Sequence, residues 1–166
     1  MKKYFLCFGA SIYQLNLIKS LQKKDLKVIS VDRNVNAPGM KISDIKITLS
    51  VNNYREIEKK LKKLNLLNKI CGVITQAAGE SILASSFFSK KLNVRSLNFK
   101  TAKELFEKKK LCKYFNKDLN GRIYSFQKLN SLDRTPPFVI KVENISGGRG
   151  IRLIKNYKYL NKNISK

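Results

Sequence analysis

The sequence predicts an α/β protein: a parallel β-sheet alternating with helices, followed by a smaller α+β lobe with antiparallel strands. Three observations carry this. Before residue 95, a short apolar run, a turn and a stretch of helical spacing follow one another three times, the alternation that builds a parallel sheet with helices on both faces. Beyond about residue 117 the apolar runs succeed one another without helices between them, which suits antiparallel pairing. With 43% hydrophobic residues in 166, the chain can fill one good-sized domain, or one domain and part of a second.

Taken in order, Tyr4 to Phe8 is a strand halted at Gly9-Ala10-Ser11, and Ile12, Leu15, Leu17, Ile18 and Leu21 then mark a helix. Lys27 to Asp32 is a second β-rich run ending on an acid, followed by a turn segment, Asn34 to Gly39. Ile45 to Leu49 is a third strand. Tyr54, Ile57, Leu61 and Leu64 line one face of a helix whose other face carries Lys59, Lys60, Lys62 and Lys63 as a solvated surface. Gly72 to Thr75 forms a fourth strand, leading through Gln76-Ala77-Ala78-Gly79-Glu80 into a helix ending near Leu92. A further helix is predicted from Thr101 to about Asn116. After Gly121, strands are expected over Ile123–Leu129, Phe138–Val142 and Ile151–Ile154. The chain thus divides into a Rossmann-like domain over residues 1–95, a linking helix over 96–116 and a partial lobe over 117–166.

Charge and cysteine usage narrow the class. A formal net charge of +24, from 35 Lys and Arg against 11 Asp and Glu, attracts polyanions. The lysines are spread along the whole chain and far outnumber the arginines that usually read phosphates and bases. A generally basic, solvated surface is the simpler reading, and a dedicated nucleic-acid face is disfavoured. Cys7, Cys71 and Cys112 have no paired spacing and histidine is absent, so neither a disulfide framework nor a zinc site is supported. Cys7 and Cys71 sit in apolar surroundings and are expected to be buried, as in a reducing cytoplasm. The apolar stretch after Lys3 ends at Gly9, far short of a signal h-region or a membrane span. No membrane partner or targeting segment is expected.

The most informative motif is Ser146-Gly147-Gly148-Arg149-Gly150, set between Phe138-Val139-Ile140-Lys141-Val142 and Ile151-Arg152-Leu153-Ile154. Three glycines in four residues can turn sharply and leave backbone N–H groups bare, as a phosphate-covering loop requires. An isolated Gly-Gly is often only a hairpin turn, and Lys141 alone could be an exposed edge residue. Together, a lysine in an apolar strand and this loop favour an anionic ligand.

Phe138-Val139-Ile140-Lys141 followed by Ser146 to Ile151 resembles the strand lysine and glycine-rich loop of the ATP-grasp superfamily, to which biotin carboxylase, carbamoyl-phosphate synthetase and many carboxylate–amine ligases belong. Upstream, Gly9 to Leu15, Val31-Asp32-Arg33-Asn34, Asn36 to Gly39, Gly72 to Thr75 and Thr101-Ala102-Lys103 leading to Lys108 resemble the preceding, preATP-grasp domain. The likeness runs over roughly residues 3 to 155. It implies that Lys141 and Lys108 (with Lys109 as a register alternative) contact ATP, and that Ser146, Gly147, Gly148, Arg149 and Gly150 cover its phosphates as a lid. It implies an ADP-forming ligase that activates a small carboxylate as an acyl phosphate for attack by an amine, magnesium bridging the phosphates. Positioning and charge neutralisation would supply most of the catalysis.

The resembled enzymes continue into a second lobe that supplies the adenine hinge and the Glu and Asn ligands of Mg2+, whereas Glu143 is the one acid near the loop and the chain ends at Lys166. The expectation is therefore an ATP-binding N-terminal portion of a longer enzyme. A split enzyme completed by a second chain, and a non-catalytic nucleotide-binding remnant, are the other readings; no catalytic residue is assigned. Asp32 also invites comparison with the ribose-binding acid of a dinucleotide fold, but Gly9-Ala10-Ser11-Ile12-Tyr13 lacks the later glycines of G-x-G-x-x-G, which argues against NAD. Gly9, Ser11 and Asp32 are assigned instead to the substrate side. The alternative from another class is a basic nucleic-acid-binding module.

Overall fold

The computed structural model describes residues 3–107, 136–141 and 150–156. The chain divides into two compact units, Met1–Lys103 and Glu104–Lys166. In the first, strands β1 (Tyr4–Phe8), β2 (Lys27–Val31), β3 (Ile45–Ile47) and β4 (Ile70–Ile74) form one sheet. All pairs are parallel, in the order β3-β2-β1-β4. The chain steps outward from β1 to β3, then crosses back to lay β4 on the other side of β1. This reversal makes the β1/β4 boundary a switch point, and open parallel sheets take ligands outside the strand ends at such points.

The helices are α1 (Leu15–Gln22), α2 (Pro38–Ile42), α3 (Tyr54–Lys63), α4 (Glu80–Lys91) and α5 (Phe99–Phe106). Strand alternation divides the apolar residues between two faces. Leu6, Phe8, Ile29, Val31 and Ile47 pack with Ile57 and Leu61 of α3 and with Ala84 and Phe88 of α4. Cys7 and Val28, pointing the other way, pack with Ile18 of α1, and Leu17, Leu21, Ile42 and Ile74 border them. Aromatic rings knit α3 to α4: Tyr54 stacks on Phe87 at 4.6 Å between centroids, and Phe87 meets Phe99 of α5 edge-on at 5.8 Å.

Several elements differ from the sequence reading. Pro38 and Gly39, expected in a turn, open helix α2, with Pro38 in its first turn, where the missing N–H costs nothing and the fixed φ is already helical. The helix expected from Thr101 begins at Phe99 and is helical to Phe106; residues 108–116 and the expected strand Ile123–Leu129 lie outside the described residues. Cys71 is not buried but partly exposed, because β4 is an outer strand of this sheet. Cys7 is buried, and burial pushes its thiol up to about 12, which makes it an inert packing group.

Asp44, between α2 and β3, ties three segments together. Its Oδ2 accepts from the Val28 N–H at 2.9 Å and from Gln22 Nε2 at 3.1 Å. Partial burial pushes this carboxyl up, but the Val28 and Gln22 hydrogen bonds and nearby Lys27 outweigh it and hold the group below its ordinary range. A depressed folded-state value contributes stability above the unfolded value, and this is lost as pH falls through the folded one. Asp44→Asn is therefore expected to flatten the acid side of a melting-temperature profile below about pH 4. An unchanged acid slope would count against this role.

In the second unit, β5 (Phe138–Lys141) and β6 (Ile151–Ile154) pair antiparallel, as the helix-free runs predict. Their register places Lys141 opposite Ile151 and Phe138 opposite Ile154.

Candidate ligand site

At the carboxyl end of the first unit's sheet, three loops are tied by polar side chains. After β1 the chain turns at Gly9 with φ 84°, a left-handed conformation that favours glycine. The Gly9 N–H donates to the Val31 carbonyl at 2.9 Å, carrying the β1–β2 ladder one step further. Asp32 then uses both carboxylate oxygens: Oδ2 accepts from the Ala10 N–H at 2.8 Å and Oδ1 from the Asn34 N–H at 2.9 Å. The Ala10 carbonyl in turn accepts from the Gly39 N–H at 2.7 Å. Asp32, a substrate-side candidate, thus holds the β1 and β2 loops in place. Ser11 stands exposed at the start of a short 3-10 turn, Ile12–Gln14.

The link to the β4 loop comes from Gln14, which sequence reasoning passed over. Its side chain is fully buried, and Oε1 accepts from the Gln76 N–H at 3.0 Å. Gln14 Nε2 is buried without a partner among the described residues, and a Cβ at Gly9 would come within 3.8 Å of it and 3.6 Å of Ser81 Oγ. Thr75 completes the tie: its hydroxyl donates to the Phe8 carbonyl at 2.6 Å and accepts from the Ala77 N–H at 3.0 Å. Gly79, with φ 70°, then starts α4. One signal was available for Gln14: it is the polar residue among the apolar positions of the first helical stretch. Gly9, Ser11 and Asp32 therefore belong to one loop cluster, and the structure adds Gln14 and Thr75 to it.

In the second unit, Lys141 and Gly150 lie at the root of the glycine loop. Lys141 ends β5, and Gly150, with φ 72°, precedes its cross-strand partner Ile151. Alternation sends Val139 and Lys141 to the exposed face and leaves Phe138 and Ile140 half-buried. The cross-strand pairs make this face aliphatic: Val139, Leu153 and Ile151 are 51%, 57% and 50% exposed. Lys141 is the one cation among them. Lys108, Lys109, Ser146, Gly147, Gly148 and Arg149 lie outside the described residues.

A parallel sheet with a loop cluster at its switch point, followed in the chain by an antiparallel strand pair, is similar to part of the fold of solved ATP-grasp enzymes. The solved structures it is similar to include the L-amino acid ligase from Bacillus licheniformis, with a TM-score of 0.75 and 17% identity over 98% of this chain and 41% of that one. N5-carboxyaminoimidazole synthetase from Staphylococcus aureus, complexed with ADP, matches with a TM-score of 0.72 and 15% identity, over 98% of this chain and 44% of that one. The biotin carboxylase domain of the Hydrogenobacter thermophilus 2-oxoglutarate carboxylase, in complex with MgADP, ADP and bicarbonate, gives 0.65 and 14%, over 97% of this chain and 39% of that one. The chain spans about two fifths of the length of these structures, and at such identities the likeness is one of fold. No family model matches the sequence, and no curated protein matches it. No helix among the described residues is long and apolar enough to cross a membrane.

Proposed function

We propose that this chain is the ATP-binding portion of an ADP-forming ligase that activates a small carboxylate as an acyl phosphate for attack by an amine or similar nucleophile. Residues 1–95 serve as the preATP-grasp domain, 96–116 as the linking helix and 117–166 as the start of the nucleotide lobe. The observation that carries this reading is the exposed face of the β5–β6 hairpin. Three aliphatic side chains side by side in water form an exposed apolar patch of the kind that marks a ligand site. They suit the apolar body of a nucleoside, and Lys141, the one cation on that face among the described residues and at the root of a glycine loop, suits its phosphates. Solved structures of the same fold hold ADP.

In this reading Lys141 orients and neutralises phosphate oxygens, and the N–H groups of Ser146 to Gly150 close over them. When bound, ATP supplies the phosphoryl group that turns the carboxylate into an acylating agent. Magnesium would accompany ATP, with its protein ligands supplied by the second lobe that the resemblance implies. The Asp32–Gln14–Thr75 cluster holds the substrate-side loops rigid, with Gly9 and Ser11 facing the carboxylate. Free cysteines at 7 and 71 suit a reducing cytoplasm.

The test is calorimetric titration of the chain with magnesium-ATP. Lys141→Ala is expected to weaken binding tenfold or more, since a charge-assisted contact contributes about 1.5–3 kcal/mol. Gly148→Val should weaken it similarly by covering the backbone N–H groups. Affinity unchanged in both variants would sink the proposal.

A further inference from the structure

The first unit has an open cleft of about 480 Å3 between the end of outer strand β3 and helix α3. We propose that this cleft binds a compact oligophosphate, a small molecule carrying two or more adjacent phosphates, independently of the ATP lobe. The polar lining of the cleft is Lys46 and Thr48, from β3 and the residue after it, with Glu56, Lys59, Lys60 and Lys63 from α3, and Ile47 and Leu49 form its apolar floor. The α3 residues fall at i, i+3, i+4 and i+7, so they share one side of the helix. Ile57 and Leu61, on another side, are in the core.

The two flanks of α3 differ in how their lysines are compensated. On one, Glu58 takes both Lys62 and Lys91 at 2.7 Å. On the cleft side, the single acid Glu56 is bonded to Lys59 at 2.9 Å, and among the described residues Lys46, Lys60 and Lys63 have no ion-pair partner. Four ammonium groups against one carboxylate leave an excess of three positive charges around one concavity, in a protein whose overall charge is +24. Crowded like charges raise the free energy of the empty cleft, and a ligand with several adjacent negative charges relieves it.

The lining also indicates the kind of anion. No arginine and no aromatic side chain takes part, whereas single-stranded nucleic acid is held by base stacking and planar guanidinium contacts. Lysines and one hydroxyl supply point charges and a donor, which match phosphate oxygens, and the volume is that of a small-molecule site. The short, lysine-bearing edge strand also discourages pairing with another chain, so the test has to separate a binding site from a merely protected edge.

The experiment is calorimetric titration of the 166-residue chain with inorganic tripolyphosphate at fixed ionic strength. The Lys46→Ala/Lys60→Ala/Lys63→Ala variant is compared with a control, Lys23→Ala/Lys24→Ala/Lys90→Ala, at three exposed lysines elsewhere in the unit. Each lowers the net charge by the same three units, so the general field is matched. The cleft variant is expected to lose tenfold or more in affinity, while the control stays within about twofold and Lys141→Ala, which removes only the nucleotide lobe's own phosphate contact, still binds; circular dichroism checks that all are folded. Equal losses in the two triple variants, no measurable binding to the parent chain, or loss only in Lys141→Ala would each overturn the proposal. So would tighter binding of a ten-nucleotide dT strand than of tripolyphosphate at the same lysines, which would make the site a nucleic-acid one.

Discussion

Replacing Gly39 by valine is expected to destabilise the sheet unit by about 3 kcal/mol or more, near the top of the range for forcing atoms into packed space. A Cβ at this position would stand 2.8 Å from Ile18 Cδ1, 2.9 Å from the Ala10 carbonyl oxygen and 3.0 Å from Ala10 Cα. The isoleucine can turn away, but the Ala10 backbone cannot: it is held by Asp32 on its N–H and by the Gly39 N–H on its carbonyl. The strain therefore falls on the loop cluster itself. Gly72→Ala is the informative comparison. There the added atom meets the edge of the Phe5 ring, and Phe5 is only partly buried and can swing. Urea midpoints should rank parent, Gly72→Ala, then Gly39→Val, and a Gly39→Val protein as stable as its parent would refute the close packing of α2 on the β1 loop.

The second large effect is expected from Phe8→Ala, at about 3–5 kcal/mol. Phe8 is fully buried at the last position of β1 and meets Phe88 of α4 at 5.3 Å between ring centroids. The ring fills the space between sheet and helix directly below Gly9, so its loss leaves a cavity under the loop cluster. Phe8→Leu should recover most of the stability, and the parent's additional ring contact is worth about 1 kcal/mol. Denaturant unfolding of the three proteins checks this; a loss below about 1 kcal/mol for alanine would show that the site collapses freely.

Much of the fold was legible because alternation of strand and helix periods is a local property. Phe138 to Lys141 illustrates it: two-residue alternation predicted which side chains share a face, and Val139 and Lys141 do share the exposed one. Where signals conflict, local reading misplaced residues. Pro38-Gly39 reads as a turn, yet a packing constraint from Ala10 and Ile18 makes glycine the residue a helix needs there. Helix α4 was expected, but its serines hid which side is buried: Ser81, Ser85, Ser86 and Ser89 line its inner side, and Ser86 satisfies its hydroxyl on the Ile82 carbonyl, so polarity did not mark the solvent face. The candidate site divides similarly. Glycines and an acid at strand ends are visible in sequence, but Gln14 and Thr75 act through partners 62 and 67 residues away.

By itself, the sequence determined the α/β class, the parallel sheet, the antiparallel hairpin and the lysine at the foot of the glycine loop, because each rests on periodicity or on residues adjacent in the chain. Tertiary structure alone decided the strand order, and with it the β1/β4 switch point. It also decided that Asp32 spends both oxygens on backbone N–H groups, and that four lysines from β3 and α3 face one cleft while on the other flank of α3 Glu58 bridges Lys62 and Lys91. Hydrogen bonds and Coulomb energies depend on distance in space, and only the folded chain brings those groups together.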